Sequence, residues 1–174
     1  MTFEIRSDIT NRSMAIASRA MRRVLRRKRS IIWAIFGWTV FFINALLLIP
    51  FDGEPFTLDV TTVTALLVEV MLLSVLLFRD RFNGMIACKN TLAGTKAYHF
   101  VFGEDSYTII TEVVTSTFRY EMIDAMAESQ DYMILLMKKR FAQPLDKRTL
   151  TGGTVEEFKR FLEEKTGKTF RRVK

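Results

Sequence analysis

Few side chains in this 174-residue sequence could perform chemistry. His99 is its only histidine and Cys88 its only cysteine, which excludes a histidine-dependent triad, a multi-histidine metal site and a zinc site built on paired cysteines. The sequence contains no Gly-rich dinucleotide loop, Walker motif or nucleophile elbow, and residues 151–154 (TGGT) read as a turn before a helix. We therefore expect no catalytic residue, no metal, no cofactor and no enzymatic activity.

Glu69 is the one carboxylate in an unusual position. It is the tenth residue of an apolar run at 60–78, about 13 Å from the end of that run at a helical rise of about 1.5 Å per residue. A charge near the middle of a bilayer costs at least ~2.5 kcal/mol, so we expect this carboxyl to be protonated, paired or turned toward protein. Its candidate partners are Thr39, at about the same depth in the preceding run, and Asn44, about 6 Å further out. A contact with another membrane subunit and a proton-titrating site remain as alternatives.

Basic side chains are concentrated near the N-terminus. Residues 1–30 contain nine Lys or Arg and two acids, and Met14, Ala17 and Met21 recur at helical spacing, which predicts a basic amphipathic helix. The side chains expected to contact anionic headgroups, at about 1 kcal/mol per cation, are Arg22, Arg23, Arg26, Arg27, Lys28 and Arg29. An acidic protein partner is an alternative. Nucleic-acid binding is not expected, because no base-reading motif accompanies the charge.

Two apolar runs follow the basic segment, and they explain why a chain of net charge +7 has a positive mean hydropathy. Residues 31–49 and 60–78 contain no Lys or Arg, and each run reaches roughly 28 Å as a helix, close to the thickness of a bilayer. The loop between them contains two prolines, a glycine and three acids, so we expect a transmembrane hairpin with a short non-cytoplasmic loop. A cleaved signal peptide fits less well, since the first run is long and no cleavage pattern follows it.

The charges that flank the two runs predict the orientation. Arginines precede the first run and follow the second, and the loop between has none, so the positive-inside rule places both termini in the cytoplasm. We expect a multi-pass membrane protein, with Cys88 in a reducing compartment.

The rest of the chain predicts a small α+β domain. Residues 79–97 continue as a helical connector, and beyond them alternation of apolar and polar residues predicts short strands at 98–102, 107–113, 118–126, 132–137 and 141–145. Thr154 and Glu157 form a capping box for a closing helix that ends near Gly167. His99 is expected on the strand face opposite Phe100. The predicted division is therefore a basic arm at 1–30, the hairpin at 31–78, the connector, and an antiparallel sheet domain at 98–174.

The order of these elements resembles the bacterial YcxB-like family. The resemblance lies in residues 98–105 (YHFVFGED), 118–123 (FRYEMI), 132–136 (YMILL) and the Phe-rich final helix. The segment 141–148 (FAQPLDKR) is similar to a late-strand motif of that family, except that Leu145 separates the proline from the basic residues. The resemblance implies an inner-membrane protein whose cytoplasmic domain is a pleckstrin-homology-like sheet or barrel capped by its C-terminal helix. It implies no activity and no catalytic residues.

Two functions are compatible with these observations. The first is a non-enzymatic accessory or scaffolding protein, whose hairpin docks on itself or on a larger membrane complex and whose cytoplasmic domain binds a partner. The second is an anionic-lipid sensor that uses the basic arm together with the cytoplasmic domain, including the basic residues 138–140 (KKR). Membrane lipids are expected partners in either case.

Overall fold

A computed structural model describes residues 2–49, 58–90, 95–137 and 141–173 of the chain. The loop at 50–57 and the basic residues 138–140 therefore lie outside the described residues. The helices are α1 Asn11–Val24, α2 Arg27–Leu47, α3 Val60–Lys89 and α4 Val155–Thr166. The strands are β1 Phe3–Asp8, β2 Ala97–Phe102, β3 Ser106–Ile110, β4 Thr115–Arg119, β5 Ile123–Glu128, β6 Tyr132–Met137, β7 Phe141–Asp146 and β8 Phe170–Arg172.

The strands form two four-stranded sheets, ordered β1-β2-β3-β4 and β7-β6-β5-β8. The predicted third strand at 118–126 is instead two strands, because a 3-10 turn at Tyr120–Met122 carries the chain from one sheet to the other. The expectation of an antiparallel sheet holds for every pair except β5 with β8, which is parallel. We call these two sheets together with α4 the sheet domain.

β1 belongs to the sheet domain although almost ninety residues separate it from β2. It pairs with β2 along its whole length, with Ile5 opposite Phe100, and at its end Ile9 N–H donates to the Lys96 carbonyl at 2.9 Å. On its other side the Ser7 hydroxyl accepts a hydrogen bond from Asp146 N–H, which ties β1 to β7. A boundary at residue 98 therefore separates two strands that pair, and both long helices are inserted between the first and second strands of one domain.

The core of the sheet domain is built from aromatic side chains. Phe3 of β1, Phe102 of β2 and Phe158 of α4 are almost completely buried, and their rings meet with centroids 4.8 to 5.2 Å apart. α4 begins at the predicted capping box of Thr154 and Glu157 and ends at Gly167, whose φ of 65° favours glycine. The predicted helix and its role as a cover for the sheet are thus confirmed.

The apolar face of α1 packs on protein. Met14, Ala17 and Met21 are buried, as the helical spacing predicts. Ala17 and Met21 form a second apolar cluster with residues of β5, β6 and the C-terminus, among them Ala127 and Ile134. The expectation that α1 lies on lipid headgroups is therefore wrong for its apolar face, since that face is occupied by the sheet domain.

α2 and α3 have the length, composition and exposure of membrane-spanning helices. Almost none of their apolar windows is buried, whereas the core helix of a soluble protein would be covered. Cleavage after α2 would take β1 and α1 out of the sheet domain, which argues against a removable signal sequence. A departure from helical φ and ψ at Phe78 divides α3 at the end of the predicted span. We call α2 and α3 as far as Phe78 the hairpin.

The position of β1 predicts that residues before the hairpin stabilise the domain after it. Ile5→Ala is expected to lower the free energy of unfolding of the sheet domain by about 2–5 kcal/mol, because it opens a cavity at a fully buried position. Proteolysis of the full chain in membranes, followed at fragments from residues 97–173, measures this effect. Arg6→Ala, at the adjacent exposed position, is the control. Equal protease resistance of wild type and Ile5→Ala would contradict the assignment of β1.

Candidate functional site

α1, which packs on the sheet domain, crosses closely over the part of α3 that continues from the hairpin beyond Phe78. Gly84 is buried there, and a Cβ added to it would lie 2.5 Å from the backbone nitrogen of Ala15. Only glycine permits such an approach, because the atoms on the other side belong to the backbone. We call the contact of α1 with residues 79–89 of α3 the brace.

An ion-pair cluster completes the brace. The guanidinium of Arg22 donates to both carboxylate oxygens of Asp80, at 2.8 and 2.5 Å, and Nε of Arg19 donates to the same carboxylate at 3.3 Å. The Asp80 side chain is only 12% exposed. The hydrogen bonds to Asp80 raise the pKa of Arg22 above its usual value, so the pair stays charged over the physiological range. α1 is thereby fixed to α3 by charge as well as by packing.

A cavity of about 950 Å³ lies where the brace, the base of the hairpin and the sheet domain converge. One helical stripe of the α2 segment, Arg26, Arg29, Ser30 and Trp33, forms part of its lining. A stripe of α3 that includes Arg79 and Asn83 forms another part, and strand residues such as Ile109 and Phe118 form the opposite wall. We call this space the junction cavity.

The structure separates the six residues predicted to contact headgroups. Arg22 pairs with Asp80 and lines the junction cavity together with Arg26 and Arg29. Arg23, Arg27 and Lys28 are not among the lining residues, although they are exposed to the same class as Arg26 and Arg29. The basic segment is therefore not one uniform surface, because three of its six side chains line the junction cavity and three do not.

Glu69 lies inside the hairpin, but without the partner expected from the sequence. Its side chain is 9% exposed, and neither carboxylate oxygen has a hydrogen-bond partner among the described residues. Asn44 instead donates to the Val40 carbonyl of its own helix at 3.0 Å, and Thr39 is exposed. The predicted contact of Glu69 with Asn44 or Thr39 is therefore wrong.

The reason for this error is the rotation of α2 about its axis. The less exposed positions of α2, which include Ala34, Gly37, Phe41 and Ala45, recur every three or four residues along one side. On that side Gly37 contacts Leu76 of α3. Asn44 follows Gly37 by seven residues and Glu69 precedes Leu76 by seven, so in antiparallel helices the two lie at about the same depth. Asn44 is at the right level but on a face that points away from α3.

Three residues that contribute to the junction were not predicted from the sequence. Asp80 was not singled out, although an acid just beyond a span and opposite a basic helix is a signal that could have been used. Arg79 entered only as a flanking charge for orientation, and Trp33 only as part of an apolar run. Elsewhere, Nε2 of His99 lies 3.2 Å from the carboxylate of Glu4 on an exposed strand surface. No group of three or more His, Cys, Asp or Glu among the residues that the structure describes could hold a metal ion.

Comparison with known proteins gives one result. The family model described as YcxB-like protein matches residues 102–162, from the end of β2 into α4. The resemblance identified in the sequence is thereby confirmed for the greater part of the sheet domain, whereas β1, α1 and the hairpin lie outside the match. No curated protein and no solved structure matches the chain.

The brace predicts a strong effect of a single methyl group. Gly84→Ala is expected to destabilise the contact of α1 with α3 by about 1–3 kcal/mol, because the added Cβ overlaps the backbone of Ala15. A disulfide-trapping assay between α1 and α3 in membranes reports the loss of the contact as reduced cross-linking. Ile86→Ala, at a 53% exposed position of the same helix, is the control and should cross-link like wild type. Unchanged cross-linking in Gly84→Ala would contradict the close crossing.

The unpartnered carboxyl of Glu69 predicts a mutation that stabilises the hairpin. Glu69→Met is expected to raise the melting temperature of the full chain in detergent, by the equivalent of about 1–3 kcal/mol, because it removes a buried polar group that lacks a partner. Glu69→Gln keeps a polar group at this position and is expected to give no such gain. A lower melting temperature in both variants would show that the carboxyl has a stabilising partner.

Proposed function

We propose that this chain is a non-enzymatic accessory protein of a bacterial inner membrane, which holds a protein-binding domain at a fixed position on the cytoplasmic face. The brace is the observation that carries the proposal. The insertion of the hairpin into the sheet domain already makes two covalent connections, and the brace adds a packed and ion-paired contact between them. A flexible tether would need only one covalent connection and no brace. The arrangement therefore favours a function that depends on a defined orientation of the sheet domain relative to the hairpin.

We propose that the sheet domain is pleckstrin-homology-like, as the resemblance to the YcxB-like family implies. Two packed sheets in which β1 through β7 follow one another in chain order, with α4 against the core, support this assignment. The charges that flank the hairpin support the cytoplasmic placement of both termini.

The proposed surface for a protein partner is a cleft of about 730 Å³ beside the N-terminal half of α1. Arg12 crosses it to reach the carboxylate of Asp131 at 2.8 Å, and Glu128 and Lys147 form an ion pair at 2.6 Å along its wall. Both signs of charge are thus available for a complementary protein surface. Because α1 forms one side of this cleft and also the brace, the cleft keeps a fixed direction relative to the hairpin.

The decisive experiment is photo-cross-linking of the full chain in native membranes. A photoreactive amino acid at Gln130, in the cleft, is expected to give a product of one defined mass, whereas the same amino acid at Glu164 of α4 gives none. The product should be reduced by Gly84→Ala and retained by Ile86→Ala, because the brace orients the cleft.

Two outcomes would overturn the proposal. One is the absence of any specific product from the cleft at native expression levels. The other is a product whose yield is the same in Gly84→Ala and wild type, since orientation by the brace would then have no role in partner binding. Both outcomes are read on an intact chain, whose folding is checked by its protease resistance.

A further inference from the structure

The lining of the junction cavity carries an unbalanced positive charge. Its arginines are Arg22, Arg26, Arg29 and Arg79, and none of its lining residues within the described ranges is Asp or Glu. Asp80 neutralises Arg22 from outside the lining. Arg29 and Arg79 have no ion-pair partner in the described part of the chain, and Arg79 makes only a long hydrogen bond of 3.5 Å to the Ser30 hydroxyl. The cavity therefore attracts an anion.

The opposite wall of the cavity is mainly apolar. Ile109, Phe118 and Phe141 contribute to it, so the ligand that fits both walls has an anionic part and an apolar part. Thr95 also lines the cavity, and its buried hydroxyl has no hydrogen-bond partner among the residues that the structure describes. A cavity lined by arginines and an unused hydroxyl donor has the chemistry that a phosphate ester requires.

The position of the cavity in the membrane identifies the source of such a ligand. Arg29 and Arg79 lie at the two cytoplasmic-side ends of the apolar runs, and Trp33, which lines the same cavity, lies in the first turn of α2 beyond Ser30. Tryptophan is enriched at the level of lipid headgroups. The cavity thus opens at the depth at which phospholipid phosphates are found.

Exposed apolar side chains on the sheet domain lie on the same side. Val114 lines the cavity and is 45% exposed, its neighbour Val113 is 55% exposed, and Phe141 is 63% exposed. Such side chains are costly in water but suited to the boundary between headgroups and acyl chains. The turn between β3 and β4 is therefore placed to contact lipid beside the cavity.

We propose that the junction cavity binds one anionic phospholipid from the surrounding bilayer, with its phosphate between Arg29 and Arg79 and its apolar part along the strand wall. This inference rests on the membrane placement proposed above for the hairpin, and it is independent of any protein partner. A free phosphate or a water-soluble phosphate ester would leave the apolar wall unfilled and is not the expected ligand.

Native mass spectrometry of the full chain in detergent tests the proposal directly. Titration with dioleoylphosphatidylglycerol is expected to give one tightly retained lipid per chain, and dioleoylphosphatidylcholine should bind about tenfold or more weakly. Glycerol 3-phosphate in large excess should not displace the bound lipid. Displacement by glycerol 3-phosphate, or equal binding of the two lipids, would overturn the proposal.

Two double variants distinguish a built site from general attraction to an anionic surface. Arg29→Gln with Arg79→Gln is expected to weaken lipid binding about thirtyfold, from about 1 kcal/mol for each cation. Arg27→Gln with Lys28→Gln removes the same charge beside the same helix but outside the cavity, and should change binding less than about threefold. Equal losses in both double variants would show that surface charge alone attracts the lipid.

A second pair of variants guards against misfolding of the arginine variants. Ser116→Glu places an acid in the cavity and should abolish retention of the lipid, whereas Thr117→Glu places it on the other face of β4, where Thr117 meets Thr108 on an exposed surface. Equal retention by both would overturn the proposal. Cross-linking from Gln130 is measured on the same variants, so that failure of the lipid site and failure of the protein-binding proposal are read separately.

Discussion

The pairing of β1 with β2 is the constraint on which the rest of the architecture depends. It holds Ile9 and Lys96 within one hydrogen bond of each other, so the intervening chain must leave the sheet domain and return to the same point. A segment closed in this way can cross a bilayer only an even number of times, and two antiparallel helices are the shortest solution. The close crossing of α1 and α3 follows, because both helices begin or end near this point.

α1 shows how one amphipathic pattern can be interpreted in two ways. Its apolar stripe and basic flank are typical of a helix on a membrane surface, and they are equally typical of a helix that covers a sheet. The stripe is visible in the sequence, and its residues Met14, Ala17 and Met21 are buried as expected. Two of them, Ala17 and Met21, are covered by the apolar cluster that contains Ala127 of the sheet domain and not by lipid. A helix of 14 residues has only one apolar face, and the sheet domain occupies it.

Local signals in the sequence predicted what local forces determine. The alternation in β2 and β3, the capping box of α4 and the two apolar runs each depend on residues within a few positions of one another, and each is found in the structure. The membership of β1 and the parallel pairing of β8 depend on partners far along the chain, which periodicity cannot identify. For Glu69, helical rise predicts the approximate depth of the carboxyl in the hairpin. Which side of α2 faces α3 is set by packing at Gly37, and the helical rise carries no information about it.

The junction owes its electrostatic character to one acidic residue. Residues 1–30 contain nine cations and only two acids, and without a further carboxylate the basic segment would repel itself and stay hydrated. Asp80 forms ion pairs with Arg19 and Arg22, and these pairs fix α1 against α3. Two cations of the basic segment thereby have a structural role. Because those two arginines are held on the brace, Arg29 and Arg79 are left to face a cavity with no acid in its described lining. The same ion pairs that fix α1 against α3 therefore also leave the positive charge of Arg29 and Arg79 unneutralised in the junction cavity.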